Sequence, residues 1–234
     1  MTRIAVFASG NGSNAENLIR NLTAGKVVLL LCNNPRAFVL KRAQELHVPA
    51  VVFSREELDA AAGLPGKGPG TMAAEMTRGV QEGTAAMPRK DRKQEEQAEE
   101  QAAPEQRHSV LELLKAHRID YIVLAGFLWK IPAHVLRAWP GRILNIHPAL
   151  LPKYGGAGMY GERVHREVIR NGEKESGITI HVVDEWYDHG RILFQATCPV
   201  DRTDTPETLA NKIHELEQQH FPAVVDNYIK QAAV

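Results

Sequence analysis

The chain has 234 residues, of which 44% are hydrophobic and 24% charged, with 28 Lys and Arg balanced by 28 Asp and Glu. That length has room for one large domain with a sizeable core, and the neutral balance excludes the basic excess typical of a protein that lives on a nucleic acid backbone. The longest apolar runs, residues 27–32 and 121–129, fall well short of the roughly 18 residues a membrane helix needs. Two cysteines, Cys32 and Cys198, supply neither a disulfide framework nor a Cys-rich metal site. What remains is a soluble enzyme or binding domain of a reducing compartment.

Residues 4–8 form a short continuous apolar run that reads as a first strand, since it is too short for a signal-peptide core. Gly10, Gly12, Ser13 and Asn14 then open a helix expected to reach about Ala24. Residues 27–32 are a second buried strand, followed by an Asn33-Asn34-Pro35 turn and a helix over residues 37–47. Residues 51–53 are a third strand, and Ser54 with Glu57 makes a capping-box start to the next helix. Helical spacing returns over residues 110–114, strand character over 120–126 and again over 143–146, and Pro132 suits the first turn of a helix. The strings ITIHVV and RILFQATCPV read as two adjacent strands. Pro206 begins a helix toward Gln219, and a separate helical stretch is expected after Pro222. Continuous apolar strands alternating with helices predict one α/β domain over residues 1–234: a mostly parallel, Rossmann-like sheet covered by helices on both faces.

Residues 60–106 break this pattern. They contain GLPGKGPG and a Lys/Arg/Glu/Gln-rich run without an apolar side chain larger than alanine. Such a run buries too little surface to offset its ordering entropy, so it is expected to be a charged low-complexity insertion within the domain.

The loop Ser9-Gly10-Asn11-Gly12-Ser13-Asn14-Ala15 lies between a strand and a helix. Glycines let the backbone approach an anion, and the free N–H groups of the following helix attract phosphate. The spacing of Gly10, Gly12 and Ala15 also satisfies the dinucleotide fingerprint, but the second strand ends in LLLCNNPRAF without the carboxylate that would hold the ribose. Arg36 leaves a 2′-phosphate reading open. A monophosphate site, a dinucleotide site and a purely structural turn all fit the residues.

The densest chemistry is Asn145-Ile146-His147-Pro148, at the carboxyl end of a strand, where parallel sheets bind ligands. Alternation points Asn145 and His147 the same way, and an amide beside an imidazole suits acyl chemistry, donating to an oxyanion and shuttling a proton. Asp184, Glu185 and Asp188 follow the strand that carries His181. A carboxylate brought beside His147 would orient the ring and raise its basicity. A structural histidine is the plain alternative, and a metal set of His147, His181, Asp188 and His189 matches no zinc signature. No serine sits in a nucleophile elbow.

Taken together, GNGSN, VLAGFLWKIP, LNIHPALLPKY, SGITIHVVDEWYDHGRILFQ and a late HFP resemble the phosphoribosylglycinamide formyltransferase family over nearly the whole chain outside residues 60–106. The resemblance implies formyl transfer from 10-formyltetrahydrofolate, a co-substrate, to the amine of glycinamide ribonucleotide in purine biosynthesis. It implies catalysis by Asn145, His147 and Asp188, with His181 and Pro148 in support. It puts the substrate phosphate and ribose on Gly12, Ser13, Asn14 and Glu217, and the folate on Leu128, Trp129, Lys130, Ile131 and Asn145. Trp129 and Lys130 depart from the family's arginine, which makes Lys130 and Arg55 the candidates for the folate carboxylates. It further implies small-molecule substrates, no metal, no nucleic acid or membrane partner, a monomer or weak homodimer, a cytoplasmic setting, and a cis peptide at Leu151-Pro152. The alternatives are a formyltransferase acting on methionyl-tRNA or a sugar nucleotide, a formylfolate deformylase, and a nucleotide- or NADP-binding module without catalysis. The tRNA enzymes are expected to add a C-terminal domain for which 234 residues leave no room.

Overall fold

The computed structural model describes residues 1–61 and 108–232; residues 62–106 of the expected insertion lie outside the described residues. The strands are β1 (Thr2–Ala8), β2 (Gly25–Cys32), β3 (Ala50–Val52), β4 (Tyr121–Leu124), β5 (Ile143–His147), β6 (Glu175–Val182) and β7 (Ile192–Pro199). The helices are α1 (Ser13–Asn21), α2 (Val39–Glu45), α3 (Arg55–Asp59), α4 (Val110–Ala116), α5 (Ala133–Ala138), α6 (Glu162–Arg170) and α7 (Pro206–Ala232).

The strands form a 7-stranded sheet in the order β3-β2-β1-β4-β5-β6-β7. All neighbours from β3 to β5 are parallel, and β6 and β7 extend the sheet antiparallel. The period of two along β1 divides the core. Ile4, Val6 and Ala8 face a cluster containing Leu18 of α1, Val39 of α2, Val168 of α6 and Leu209, Ile213 and Phe221 of α7. Ala5 and Phe7 face the opposite cluster with Leu58 of α3, Leu114 of α4 and Val135 of α5. Because the chain walks outward from β1 to β3 and returns to lay β4 on the other side of β1, the switch point lies between β1 and β4. A crevice opens there at the carboxyl strand ends.

The expected strands all form, as does the capping box of Ser54 and Glu57. A second box, Ser109 with Glu112, starts α4. Leu151-Pro152 is cis. Two of the expected helices differ in extent, and α6 was not among those expected. α1 ends at Asn21 rather than near Ala24, because the buried Asp226 carboxylate of α7 accepts from the backbone N–H of Thr23 (2.9 Å) and of Ala24 (2.8 Å) and pulls that segment out of the helix. α7 runs unbroken through Pro222. The Gln218 carbonyl, deprived of the N–H that proline lacks, accepts instead from the side-chain amide of Asn17 at 2.9 Å.

Candidate active site

Strand ends and two helix faces converge on a cavity of ≈ 780 Å³. One end is the glycine loop. Gly12 has φ 83°, and a Cβ there would lie 2.3 Å from Val39 Cγ2, so the loop is pressed onto the start of α2 and only glycine fits. Gly12 caps α1 without a side-chain hydrogen bond, leaving the first-turn amides to the cavity. Behind the loop, the Arg42 guanidinium donates to the Asn11 carbonyl (3.0 Å) and to Asn11 Oδ1 (2.9 Å), and it also pairs with Glu16. Glu16 lies in the first turn of α1, where its charge would oppose an anion. Arg20 and Arg42 engage it and hold its carboxyl below the usual range. Asn14 Nδ2 donates to Glu217 Oε2 at 2.8 Å, across 203 residues of chain.

The other end of the cavity holds the amide, imidazole and carboxylate. Asp188 Oδ1 is 3.5 Å from His147 Nδ1 and 3.4 Å from Asn145 Nδ2. Its Oδ2 accepts from the Gly156 N–H at 3.0 Å. His147 Nε2 donates to the Tyr154 carbonyl at 2.7 Å, which puts the proton of a neutral ring on Nε2 and leaves Nδ1 as the free base. His181 Nδ1 donates to the Val182 carbonyl, and its Nε2 accepts from Asn145 Nδ2 at 3.0 Å, so His181 stands behind Asn145 and orients its amide.

The charge states follow from burial and partners. His147 is 4% exposed, and burial lowers its pKa below the ordinary histidine value although Asp188 and the Tyr154 carbonyl pull the other way. This corrects the expected rise in basicity: desolvation outweighs the carboxylate. For Asp188, burial works to raise the pKa, but His181, His147 and the Gly156 N–H together hold it below the usual value, so it is ionised. The site at rest is therefore a neutral imidazole facing a carboxylate.

The expected site residues divide between two places. Gly12, Ser13, Asn14, Leu128, Asn145, His147, Pro148, Asp188 and Glu217 line the large cavity. Arg55, Lys130 and Ile131 line a smaller groove of ≈ 290 Å³ with Glu185 and Trp186. Trp129 is half-buried against Phe53 and Phe127, with the Arg55 guanidinium 5.6 Å from its ring centre. Lys130 Nζ lies 5.8 Å and 5.9 Å from the rings of Trp186 and Tyr187. Arg55 also pairs with Asp59 at 2.8 Å. Sequence reasoning missed the backbone groups of Tyr154 and Gly156, and the cavity residues His165 and His214. The glycine-rich run after Tyr154 was the one signal for the first pair. Among the described residues, no group of three or more His, Cys, Asp or Glu is arranged to hold a metal ion, and no helix is long and apolar enough to cross a membrane.

A doubly wound sheet that brings an amide, a neutral imidazole and an ionised carboxylate together at one strand end has the groups that acyl transfer requires. The chain belongs to the formyl transferase family, whose model matches residues 2–225. It is 33% identical over 229 residues to the phosphoribosylglycinamide formyltransferase of Bacillus subtilis (strain 168), covering 96% of this chain and 93% of that protein. Among solved structures, phosphoribosylglycinamide formyltransferase from Bacillus halodurans superposes with a TM-score of 0.72 at 29% identity, covering 99% of this chain and 97% of that one. The enzyme of the same name from Streptococcus pneumoniae TIGR4 gives 0.69 at 30% identity, covering 97% and 98%.

Proposed function

We propose that this protein transfers the formyl group of 10-formyltetrahydrofolate to the amine of glycinamide ribonucleotide, giving formylglycinamide ribonucleotide and tetrahydrofolate in purine biosynthesis. The observation that carries the reading is the Asn145–His147–Asp188 cluster at one end of a cavity whose other end is a helix N-terminus without a side-chain cap. A phosphorylated amine bound along that cavity has its anion at Gly12, Ser13 and Asn14 and its nucleophile near His147. Glu217, which accepts from Asn14 at 2.8 Å, is set to receive ribose hydroxyls. A folate entering past Leu128 would reach toward the side groove, where Lys130 and Arg55 offer positive charge to its carboxylates.

In this reading the bond that forms joins the amine nitrogen to the formyl carbon, and the bond that breaks joins that carbon to the folate nitrogen. Asn145 donates to the oxygen that gains charge as the amine adds. Its N–H toward Asp188, at 3.4 Å, is a long bond that is readily exchanged for the oxyanion. His147 Nδ1 takes the proton the amine loses, Asp188 stabilises the imidazolium so formed, and the proton is passed on to the departing folate nitrogen. The test is a spectrophotometric assay with both substrates and with each omitted. Turnover that needs both supports the reading. Turnover without the ribonucleotide indicates a deformylase, and no turnover by folded protein indicates a different acceptor.

A further inference from the structure

The turn of residues 153–156 touches both catalytic groups through its backbone: the Tyr154 carbonyl accepts from His147 Nε2 at 2.7 Å, and the Gly156 N–H donates to Asp188 at 3.0 Å. Between them, a Cβ at Gly155 would lie 2.6 Å from Leu151 Cδ2 and 3.1 Å from Asp188 Cβ, so the turn is held close against the site. Tyr154 itself has φ 57°, a left-handed conformation that is strained for a non-glycine residue and persists only when its surroundings enforce it.

What enforces it lies outside the cavity. Tyr154 Oη donates to Glu173 Oε1 at 2.9 Å and accepts from Asn171 Nδ2 at 3.1 Å. The same Glu173 carboxylate accepts from Lys153 Nζ at 3.0 and 3.2 Å. Glu173 therefore grips two consecutive side chains of the turn from the segment that follows α6. These hydrogen bonds, that of Lys153 foremost, hold its carboxyl below the usual range, so the grip is an ionised one.

We propose that Glu173 is a positioning residue for catalysis: by anchoring the Tyr154 hydroxyl it keeps the Tyr154 carbonyl on His147 Nε2, which fixes the imidazole proton there and leaves Nδ1 as the base facing Asp188. The inference rests on the role assigned to His147 above. If the tether is cut, the carbonyl drifts, the Nδ1–H tautomer becomes populated, and a ring in that form cannot accept the amine proton. Cutting it should lower kcat about tenfold with KM nearly unchanged, the scale of a small misplacement of a catalytic group by a residue that touches no substrate.

The experiment compares Glu173→Ala, Tyr154→Phe and Glu173→Gln with the parent in the full chain. It reads kcat and KM, the melting temperature, and the His147 tautomer by long-range ¹H–¹⁵N NMR, with the His147 signals assigned by their loss in His147→Ala. The expected result is a drop in kcat and a mixed His147 tautomer in Glu173→Ala and Tyr154→Phe, and recovery of most of the loss in Glu173→Gln, whose amide oxygen still accepts from Tyr154. A purely Nε2–H tautomer in both cut variants overturns the proposal, whatever happens to kcat. So does a kcat within twofold of the parent. The tautomer is read without substrates, so failure of the formyl-transfer reading itself shows separately, as absence of turnover in the parent.

Discussion

His147 Nδ1 and Asp188 Oδ1 stand 3.5 Å apart, with the histidine almost wholly buried and the aspartate held by a backbone N–H on its other oxygen. The pair is poised rather than closed. A neutral ring has no proton to give at Nδ1, and the contact becomes a charge-assisted hydrogen bond only when Nδ1 gains one.

That arrangement fixes the sign of the pH dependence. Burial lowers the pKa of His147, and also that of His165, below the ordinary histidine value of 6.5. Between that value and the lowered native one, the unfolded chain binds protons the folded chain does not, so stability rises with pH through the window. The contribution is complete above 6.5 and lost as pH falls through the native values; Asp188, lowered from 3.8, adds a further loss at stronger acid. Melting temperatures taken from about pH 8 down to about pH 5 should therefore fall more on the acid side for the parent than for His147→Gln, a comparison that cancels the opposite contribution of His214, whose pKa the Glu217 contact raises; equal slopes would contradict the burial argument. Activity should show an acid limb below the ordinary histidine range, because protonated His147 cannot serve as a base.

Asn17 carries a second prediction. Its amide fills the carbonyl left open by Pro222, and its own oxygen accepts from Asn21 at 2.8 Å. Asn17→Ala leaves the Gln218 carbonyl unpaired at a buried helix contact and should cost about 1–3 kcal/mol of stability, measured by urea unfolding. If the stability is unchanged, Pro222 is accommodated by some other means.

These two residues also show what was and was not legible in the sequence. Strands β1, β2, β4 and β5 stand out because both faces of a parallel sheet are buried and each strand is built on an apolar run. Caps stand out because Ser and Glu at a spacing of three have a local mechanism. The early end of α1 and the unbroken α7 depend on Asp226 and Asn17, each acting across about two hundred residues, and local patterns carry no trace of that. α6 was missed because only Val164, His165 and Val168 of its residues are buried, which leaves a mostly charged string. At the site, side chains were legible and backbone was not. The sequence exposes Asn145, His147 and Asp188, but the Tyr154 carbonyl that selects the His147 tautomer belongs to no residue type. The direction of the His147 shift was misread because neighbours are visible in a sequence and desolvation is not.

Arg42 does not itself line the cavity, yet it holds the loop that does, through Asn11 and Glu16. Arg42→Ala should weaken binding of the phosphorylated substrate by about 1.5 kcal/mol, roughly tenfold in KM, and leave kcat nearly unchanged. Inhibition by inorganic phosphate should weaken in parallel. Equal losses in kcat and in kcat/KM would instead assign Arg42 to the chemistry.

The measurement that tests the central claim most directly is the turnover of Asn145→Ala with both substrates saturating. The amide is held between His181 and Asp188, and in the proposed reaction one of its N–H groups meets the developing oxyanion. Losing it should lower kcat by about 10²–10³, some 3–4 kcal/mol of transition-state stabilisation, while KM changes little. A kcat within about threefold of the parent would mean that Asn145 is not the oxyanion donor and that the cluster at the end of β5 does not carry the reaction.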